Sequence, residues 1–508
     1  MISFLNALLF IAAATAIGRA LLPLQTVAPR SRGEEIAVSY NLGIATIIFV
    51  TQALFLINIK LSFIFWLILT LAIIAFIYRR KQAEVFAKSS FSYITCALLI
   101  LVGFASGLAA ISYPLNEFDP IYHWAYRGKI LLFEGTPLTE AITGIISSDN
   151  FGRVITHPNY PLGIPIIQAL SSFLGGFSER FAQLPLAAWT ATLPWVLAFG
   201  LRNFGPKICS SIAIMTVATP ILFVSNFTEN GFEDLLNAGT SSSMMLGGGA
   251  DLAVMSMLTL GLSLFTTSMR INCRRLAICS GIALAGASAM KNEGLALTIV
   301  IFIAIVLAYL FARKNNEKAK RKLILFFLVT TMTCTAPWLL IRGQLPAIDE
   351  NYSEQLTINN VIHFITGGPE LIEKSPLAMS GRGEMSKAPA EKNANEDNLV
   401  PTRRSLVSYA FWEEFTDWRS WGLLWALMLI AIAVNIKDVG RFNMTLITLT
   451  AVGGLLLYFL ILLVTPWNFP SLRDKGIPER LFVHLAGIIL LSLGYAFSQL
   501  ERSKNKLE

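Results

Sequence analysis

Two carboxylates separated by a single residue, Glu117 and Asp119 in "NEFDPIYHWAYRGKILLFEG" (116–135), have a spacing suited to chemistry. Such a pair could take a proton from an acceptor hydroxyl as general base, or hold a divalent cation through oxygen ligands. Arg127 and Lys129 follow in the same stretch and could meet an anionic phosphate. A solvated loop whose aromatic side chains anchor an interfacial helix accounts for the same residues without any function. "KNEG" (291–294) sets Lys291 and Glu293 inside an apolar stretch. A charge at bilayer depth costs at least about 2.5–3.5 kcal/mol, so such residues normally face a polar cavity. The plainer account is a hairpin with a local Lys–Glu pair. Asp251 opens an apolar helix after three glycines. A carboxylate there favours the helix dipole by about 0.3–1 kcal/mol, so structure and function explain it equally well. "THPNYPLGIP" (156–165) packs His157, Tyr160 and three prolines into a rigid, partly extended entry. His157 has no second ligand motif beside it, which favours positioning or substrate contact over metal binding. Arg480, in "GIPERLFVHLAG" (477–488), could bind a lipid phosphate or simply snorkel to the interface.

The elements that must position these side chains are membrane helices. The chain has 508 residues, 54% hydrophobic and 14% charged, with a mean hydropathy of +0.60. Soluble globular chains carry about 25% charge. Many windows of 18 or more residues are nearly free of charge, the length a helix needs to cross a bilayer. Long apolar runs, rather than short alternating ones, argue against a β-barrel. The net charge of +8 is gathered in short segments between apolar runs, as cytoplasmic loops require, and carries no nucleic-acid signal. None of the five cysteines forms a CxxC pair, so neither a disulfide framework nor a zinc site is expected.

The expectation is an all-α polytopic membrane protein with about 13 transmembrane helices and interfacial helices on the outer face. The spans are 3–23, 41–58, 61–77, 91–112, 181–200, 208–225, 251–268, 276–290, 294–312, 322–341, 420–436, 442–465 and 481–498. Arg19 follows the first apolar core, which marks a retained helix with its N-terminus outside. Five basic segments (78–81, 270–275, 312–322, 437–441 and 501–506) then all face the cytoplasm. That result requires 160–177 to lie along the outer surface or re-enter. Residues 276–312 would make a helix of about 55 Å, too long for a core of about 30 Å, so the chain must fold back around Lys291. Two large outer segments remain, 113–180 and 342–419. The middle of the second, 381–404, reads as polar and mobile, and its end, 411–425, has four tryptophans spaced for an interfacial helix. Glu117, Asp119, His157, Asp251, Lys291, Glu293 and Arg480 all fall at or near the outer face.

In order along the chain, "EFDPIYHWAYRGKIL", "HPNYPLGIP", "ADLAV", "ASAMKNEGLAL" and "PERLFVHLAG" resemble the GT-C superfamily of membrane glycosyltransferases. The bacterial members related to protein O-mannosyltransferases and lipid A aminoarabinose transferases are the nearer likeness. It covers roughly residues 90–500, with 91–508 as the catalytic core and 1–90 as added helices. The resemblance implies an inverting transfer of a sugar from a polyprenyl-phosphate or pyrophosphate carrier on the outer face of, by default, a bacterial inner membrane. The acceptor would be a glycolipid, a polysaccharide or a protein. Glu117-Phe118-Asp119 fits the family's modified acidic motif, which makes Asp119 the catalytic base and Glu117 its support. Arg127, Lys129, Lys291 and Arg480 would stabilise the phosphate leaving group, and His157, Tyr160, Asp251 and Glu293 would line the cavity. Some members use a divalent cation (Mg or Mn), for which Glu117 and Asp119 would be the ligands. The acidic motif follows the fourth span here, whereas many members place it after the first. The chain also has no large folded C-terminal outer domain. Rival expectations are a lipid or glycan transporter or flippase, a polysaccharide–lipid ligase relying on His363, and a scaffold that keeps the fold without catalysis.

Overall fold

The computed structural model describes residues 1–23, 31–80, 91–112, 119–138, 158–222, 250–311, 317–345, 357–366, 402–436, 441–465 and 476–504. The side chains of 79, 80, 119, 120, 122, 317–319, 435, 436, 476 and 502–504 are outside that description. Glu117, His157 and the 381–400 segment lie outside the described residues altogether. Among those described, every regular element is helical.

Helices α1 (Ile2–Leu21), α2 (Arg32–Leu56), α3 (Leu61–Arg80) and α4 (Tyr93–Ser112) precede a π-helical turn, Asp119–Ala125, that leads into α5 (Tyr126–Glu134). Then come α6 (Gly163–Ser171), α7 (Glu179–Ala182), α8 (Leu184–Leu201), α9 (Pro206–Val217), α10 (Asp251–Ile271), α11 (Arg274–Met290) and α12 (Asn292–Phe311). The chain continues through α13 (Glu317–Arg342), α14 (Ile358–Ile365), α15 (Arg403–Thr416), α16 (Trp418–Trp421), α17 (Leu424–Ile436), α18 (Phe442–Val464) and α19 (Gly476–Lys504). Ten of the apolar helices are long enough to cross a membrane, which makes this an integral membrane protein. Every expected span falls on a helix. However, 208–225, 276–290 and 420–436 correspond to α9, α11 and α17, of 12, 17 and 13 residues.

The chain divides into two compact units. The first comprises Met1–Asp349, Asp417–Leu455 and Arg480–Glu508; the second comprises Glu350–Thr416 and Leu456–Glu479. In the first unit α2 packs on α1, α8, α11 and α13, so the described N-terminal helices α1–α3 share a body with the helices that carry Asp251 and Lys291. Helix α2 begins nine residues before the expected 41–58 span. Ser31 caps it by accepting from the Glu34 N–H at 3.2 Å, and Glu35 is neutralised by Arg19 at 2.5 Å. Gly18 and Gly43 let α1 and α2 touch backbone to backbone: a Cβ on Gly43 would overlap the Ala14 carbonyl oxygen.

In the second unit, Arg403 reaches the end of α18 and donates from Nη2 to the carbonyls of Leu462 (3.0 Å) and Thr465 (2.5 Å). These are orphan acceptors at a helix C-terminus, where a cation is favoured. Phe364 packs with Leu463 and Val464 beside it.

Candidate functional site: a buried ion cluster at converging helix ends

Three helix ends meet at one end of the first unit. Helix α10 starts at Asp251, and α19 carries Arg480 and His484 four residues apart, on one face of its first turns. Between α11 and α12 the backbone at Lys291 is extended, with φ −156° and ψ 153°. The apolar stretch thus reverses direction there, as its length demands.

Asp251 is the hub. Lys291 Nζ donates to its Oδ1 at 2.7 Å, and Arg480 Nε donates to its Oδ2 at 3.1 Å. His484 Nε2 lies 2.8 Å from Oδ1 and donates when the ring carries its proton there. Glu293 adds a second carboxylate 3.3 Å from Lys291. The Asp251 and His484 side chains are 2% and 0% exposed, against 9% for Lys291 and 25% for Arg480. Two anions and two cations therefore balance, which is what permits the burial. Burial by itself would lower the Lys291 ammonium, but Asp251 and Glu293 outweigh it and the net shift is upward. Next to the hinge, Arg342 at the end of α13 donates to Asn292 Oδ1 at 3.3 Å.

With Lys291 and Arg480 donating to its two oxygens and His484 at 2.8 Å, Asp251 is placed to hold cations rather than to take a proton. It draws an ammonium and a guanidinium to the edge of a buried network, an arrangement able to meet an anion or negative charge developing on an oxygen.

The acidic stretch packs nearby in the same unit. Asp119 opens the π-helical turn, which lies against α6. Arg127 is buried to 1% exposure and donates from Nη2 to the Pro158 carbonyl at 3.0 Å. Its Nε and Nη1 have no hydrogen-bond partner among the described residues, and burial pushes its pKa down to about 9, still above neutral. Lys129, two residues along α5, is exposed, so the two cations expected to meet one phosphate lie on different faces of the helix. Tyr160 lies against the His123 ring at 5.4 Å and stacks on Trp124 at 6.0 Å. Helix α6 then seats on the Lys291 hinge: a Cβ on Gly163 would come within 2.6 Å of the Ala289 carbonyl oxygen. All nine residues of α6 are buried, so this segment is enclosed by its neighbours rather than laid on a surface. At 1.5 Å per residue it is about 13 Å long, too short to span.

The structure thus joins Asp251, Lys291, Glu293 and Arg480 in one cluster and keeps Arg127 and Tyr160 in a second group beside it. Sequence reasoning missed His484; its offset of four from Arg480 was the available signal. It also assigned four tryptophans to the interface, whereas Trp421 and Trp425 are buried and pack edge-on to Phe482 at 6.5 and 5.3 Å, behind the Arg480 turn. Among the described residues no three His, Cys, Asp or Glu side chains gather as metal ligands would. Glu117 and the Asp119 side chain, the pair expected to hold a cation, lie outside the description. Compared with known proteins, the chain matches no protein-family model and no curated protein.

Proposed function

We propose that the protein is a GT-C-like membrane glycosyltransferase that moves a sugar from a polyprenyl-phosphate or pyrophosphate carrier to an acceptor at the outer face of a bacterial inner membrane. The observation that carries this reading is the convergence of Asp251, Lys291, Glu293, Arg480 and His484 at one end of a helical unit, beside the stretch that begins at Asp119. In the proposed mechanism Asp119 accepts the acceptor's hydroxyl proton as its oxygen attacks the anomeric carbon. The bond from that carbon to the carrier phosphate breaks on the opposite side, giving inversion. Negative charge then develops on the leaving phosphate oxygen, where Lys291 and Arg480 stabilise it. Asp251 holds both cations in place, and Glu117 supports Asp119.

A fold of 13 spans belongs to the same proposal and has geometric support. Helix α11 leaves from α10 by a tight turn and ends beside Asp251, so it runs the same depth as α10. Helix α17 starts beside Trp421 and Trp425, which pack near Arg480, and the chain re-enters at Arg441, whose Nη1 donates to Gln499 near the far end of α19. Helix α9 likewise runs from Arg202 to the Pro220 turn beside Gly422.

Purified protein in lipid, given a panel of polyprenyl-phosphate sugars with membrane extract as acceptor, tests the reading beside Asp119→Asn and Lys291→Met. Transfer that is lost in Asp119→Asn, while the variant elutes as a folded particle, is the expected result. Activity that survives Asp119→Asn would remove the base assignment. No transfer from any donor would overturn the enzyme and turn attention to lipid flipping.

A further inference from the structure

At the opposite end of α10, about 30 Å from Asp251 at 1.5 Å per residue, the first unit contains a cavity of about 280 Å³. It has no part in the transfer proposed above. Three cations line it from three different elements: Arg270 in the last turn of α10, Lys320 in the first turn of α13, and Arg441 before α18. No carboxylate lines it among the described residues. Its other walls are apolar or aromatic apart from the amides of Asn443 and Gln499. Phe442, Met444 and Tyr495 are 7%, 3% and 5% exposed, and the Tyr495 ring meets Phe204 edge-on at 4.8 Å.

Amide groups position the two arginines. Arg441 Nη1 donates to Gln499 Oε1 at 3.0 Å, and the Asn203 amide lies against the Arg270 guanidinium. Asn443 donates to the Thr266 carbonyl at 3.1 Å, which fixes the first turn of α18 against α10. The first N–H groups of α18 therefore add a positive helix end to the three side chains. Such a cavity attracts one kind of ligand: a compact anion carrying an apolar body. The basic segments of the sequence mark this end as the cytoplasmic one, where anionic lipid headgroups are abundant.

We propose that this cavity binds the phosphate headgroup of an anionic phospholipid from the adjoining leaflet, with the glycerol and upper acyl chains against Phe442, Met444 and Tyr495. The test uses the intact chain in vesicles of phosphatidylcholine containing phosphatidylglycerol, and measures the phosphatidylglycerol retained per protein after mild detergent extraction. Each cation near a membrane surface contributes about five-fold to anionic-lipid affinity, so Lys320→Gln is expected to lower enrichment about five-fold and Arg270→Gln/Arg441→Gln about 25-fold. Arg275→Gln/Lys322→Gln removes the same charge from exposed side chains at the same end, outside the cavity, and is expected to change nothing. Equal losses in the cavity and control variants would reduce the effect to diffuse surface charge and overturn the site. No loss in Lys320→Gln, which leaves the paired arginines intact, would also overturn it. Displacement of the lipid by millimolar inorganic phosphate would assign the cavity to soluble phosphate compounds and overturn the lipid assignment. Asp119→Asn is expected to retain phosphatidylglycerol like the wild type, which separates this site from the transfer chemistry.

Discussion

At the scale of single residues, the energetics turn on one carboxylate. Removing one partner of a buried ion pair leaves the other charge uncompensated, at a cost of about 3–5 kcal/mol. Asp251→Ala is therefore expected to lower the thermal stability of the detergent-solubilised protein steeply, since Lys291 and Arg480 both lose the carboxylate they share. Adding Lys291→Met should restore part of the loss, and a double-mutant cycle read from melting curves checks this; strictly additive effects would mean that the 2.7 Å contact couples nothing. Lys291 also sets a pH signature. Its folded-state pKa is above the ordinary 10.5, so its contribution is complete below that value and is lost only as pH rises through the folded one. The stability gap between wild type and Lys291→Met should stay constant between about pH 6 and pH 9 and shrink only in strong alkali. A gap that closes near neutral pH would mean that Asp251 and Glu293 do not hold the ammonium. The four charges, Asp251, Lys291, Glu293 and Arg480, were legible in the sequence because an ionisable group in or beside an apolar helix needs a reason to be there. Their pairing was not, since Asp251 lies 40 positions from Lys291 and 229 from Arg480, and only the fold closes such separations. His484 was missed for another reason: its offset of four from Arg480 was a signal, but a single histidine in an apolar helix looks like a satisfied core residue until its partner is known.

Elements show a different balance. Helix existence was readable almost everywhere, because long apolar runs leave the backbone no other way to satisfy its hydrogen bonds in lipid. The reversal at Lys291 followed from length alone. Boundaries failed where polar residues are neutralised in three dimensions, as at the start of α2, where the Ser31 cap and the Arg19–Glu35 pair draw a charged turn into a helix. Aromatic residues misled in the same way: the spacing of Trp421 and Trp425 fits an interface, yet both close a core against Phe482. The element that most needs its position is α6, because it joins the Arg127 group to the Lys291 hinge. Gly163→Val would place side-chain carbon where the Ala289 carbonyl and the Met290 sulfur now stand. Overpacking of this kind costs about 1–3 kcal/mol. The expected outcome is a lowered melting temperature together with a larger fall in sugar transfer than Gly128→Ala gives, since a Cβ on Gly128 would meet Gln168 and the Pro165 carbonyl oxygen only at 3.1–3.2 Å. Equal effects of the two substitutions would mean that the seat of α6 on the hinge has no special part in the site.

For the whole molecule the decisive quantity is parity, because each crossing exchanges the two faces for everything that follows. Helices α9 and α17 are only about 18–20 Å long at 1.5 Å per residue, short of a hydrocarbon core of about 30 Å. If α9 stopped inside the bilayer, the basic turn between α10 and α11 would move to the face that carries Lys129; if α17 did, everything from Arg441 onward would change sides. Contacts inside the first unit favour crossing, since α9 and α17 run between the ends that α10 and α19 join. Tilt-free short helices cross by thinning the bilayer locally, at fractions of a kcal/mol per ångström of mismatch, a cost the packed neighbours can absorb. Single-cysteine labelling decides it for α9. Of the five thiols, Cys209, Cys279 and Cys334 are buried, so changing Cys96 and Cys273 to serine gives a quiet background. Lys129 and Arg275 are both exposed and accept a cysteine without loss of packing. A membrane-impermeant maleimide applied to intact cells is expected to label Lys129→Cys at once and Arg275→Cys only after permeabilisation. Labelling of both from outside would put the two segments on one face, reduce the number of crossings between them by an odd count, and exchange the faces of the two ends of α10, setting the ion cluster at Asp251 on the cytoplasmic side and the basic cavity at Arg270 on the outer one, against both proposals.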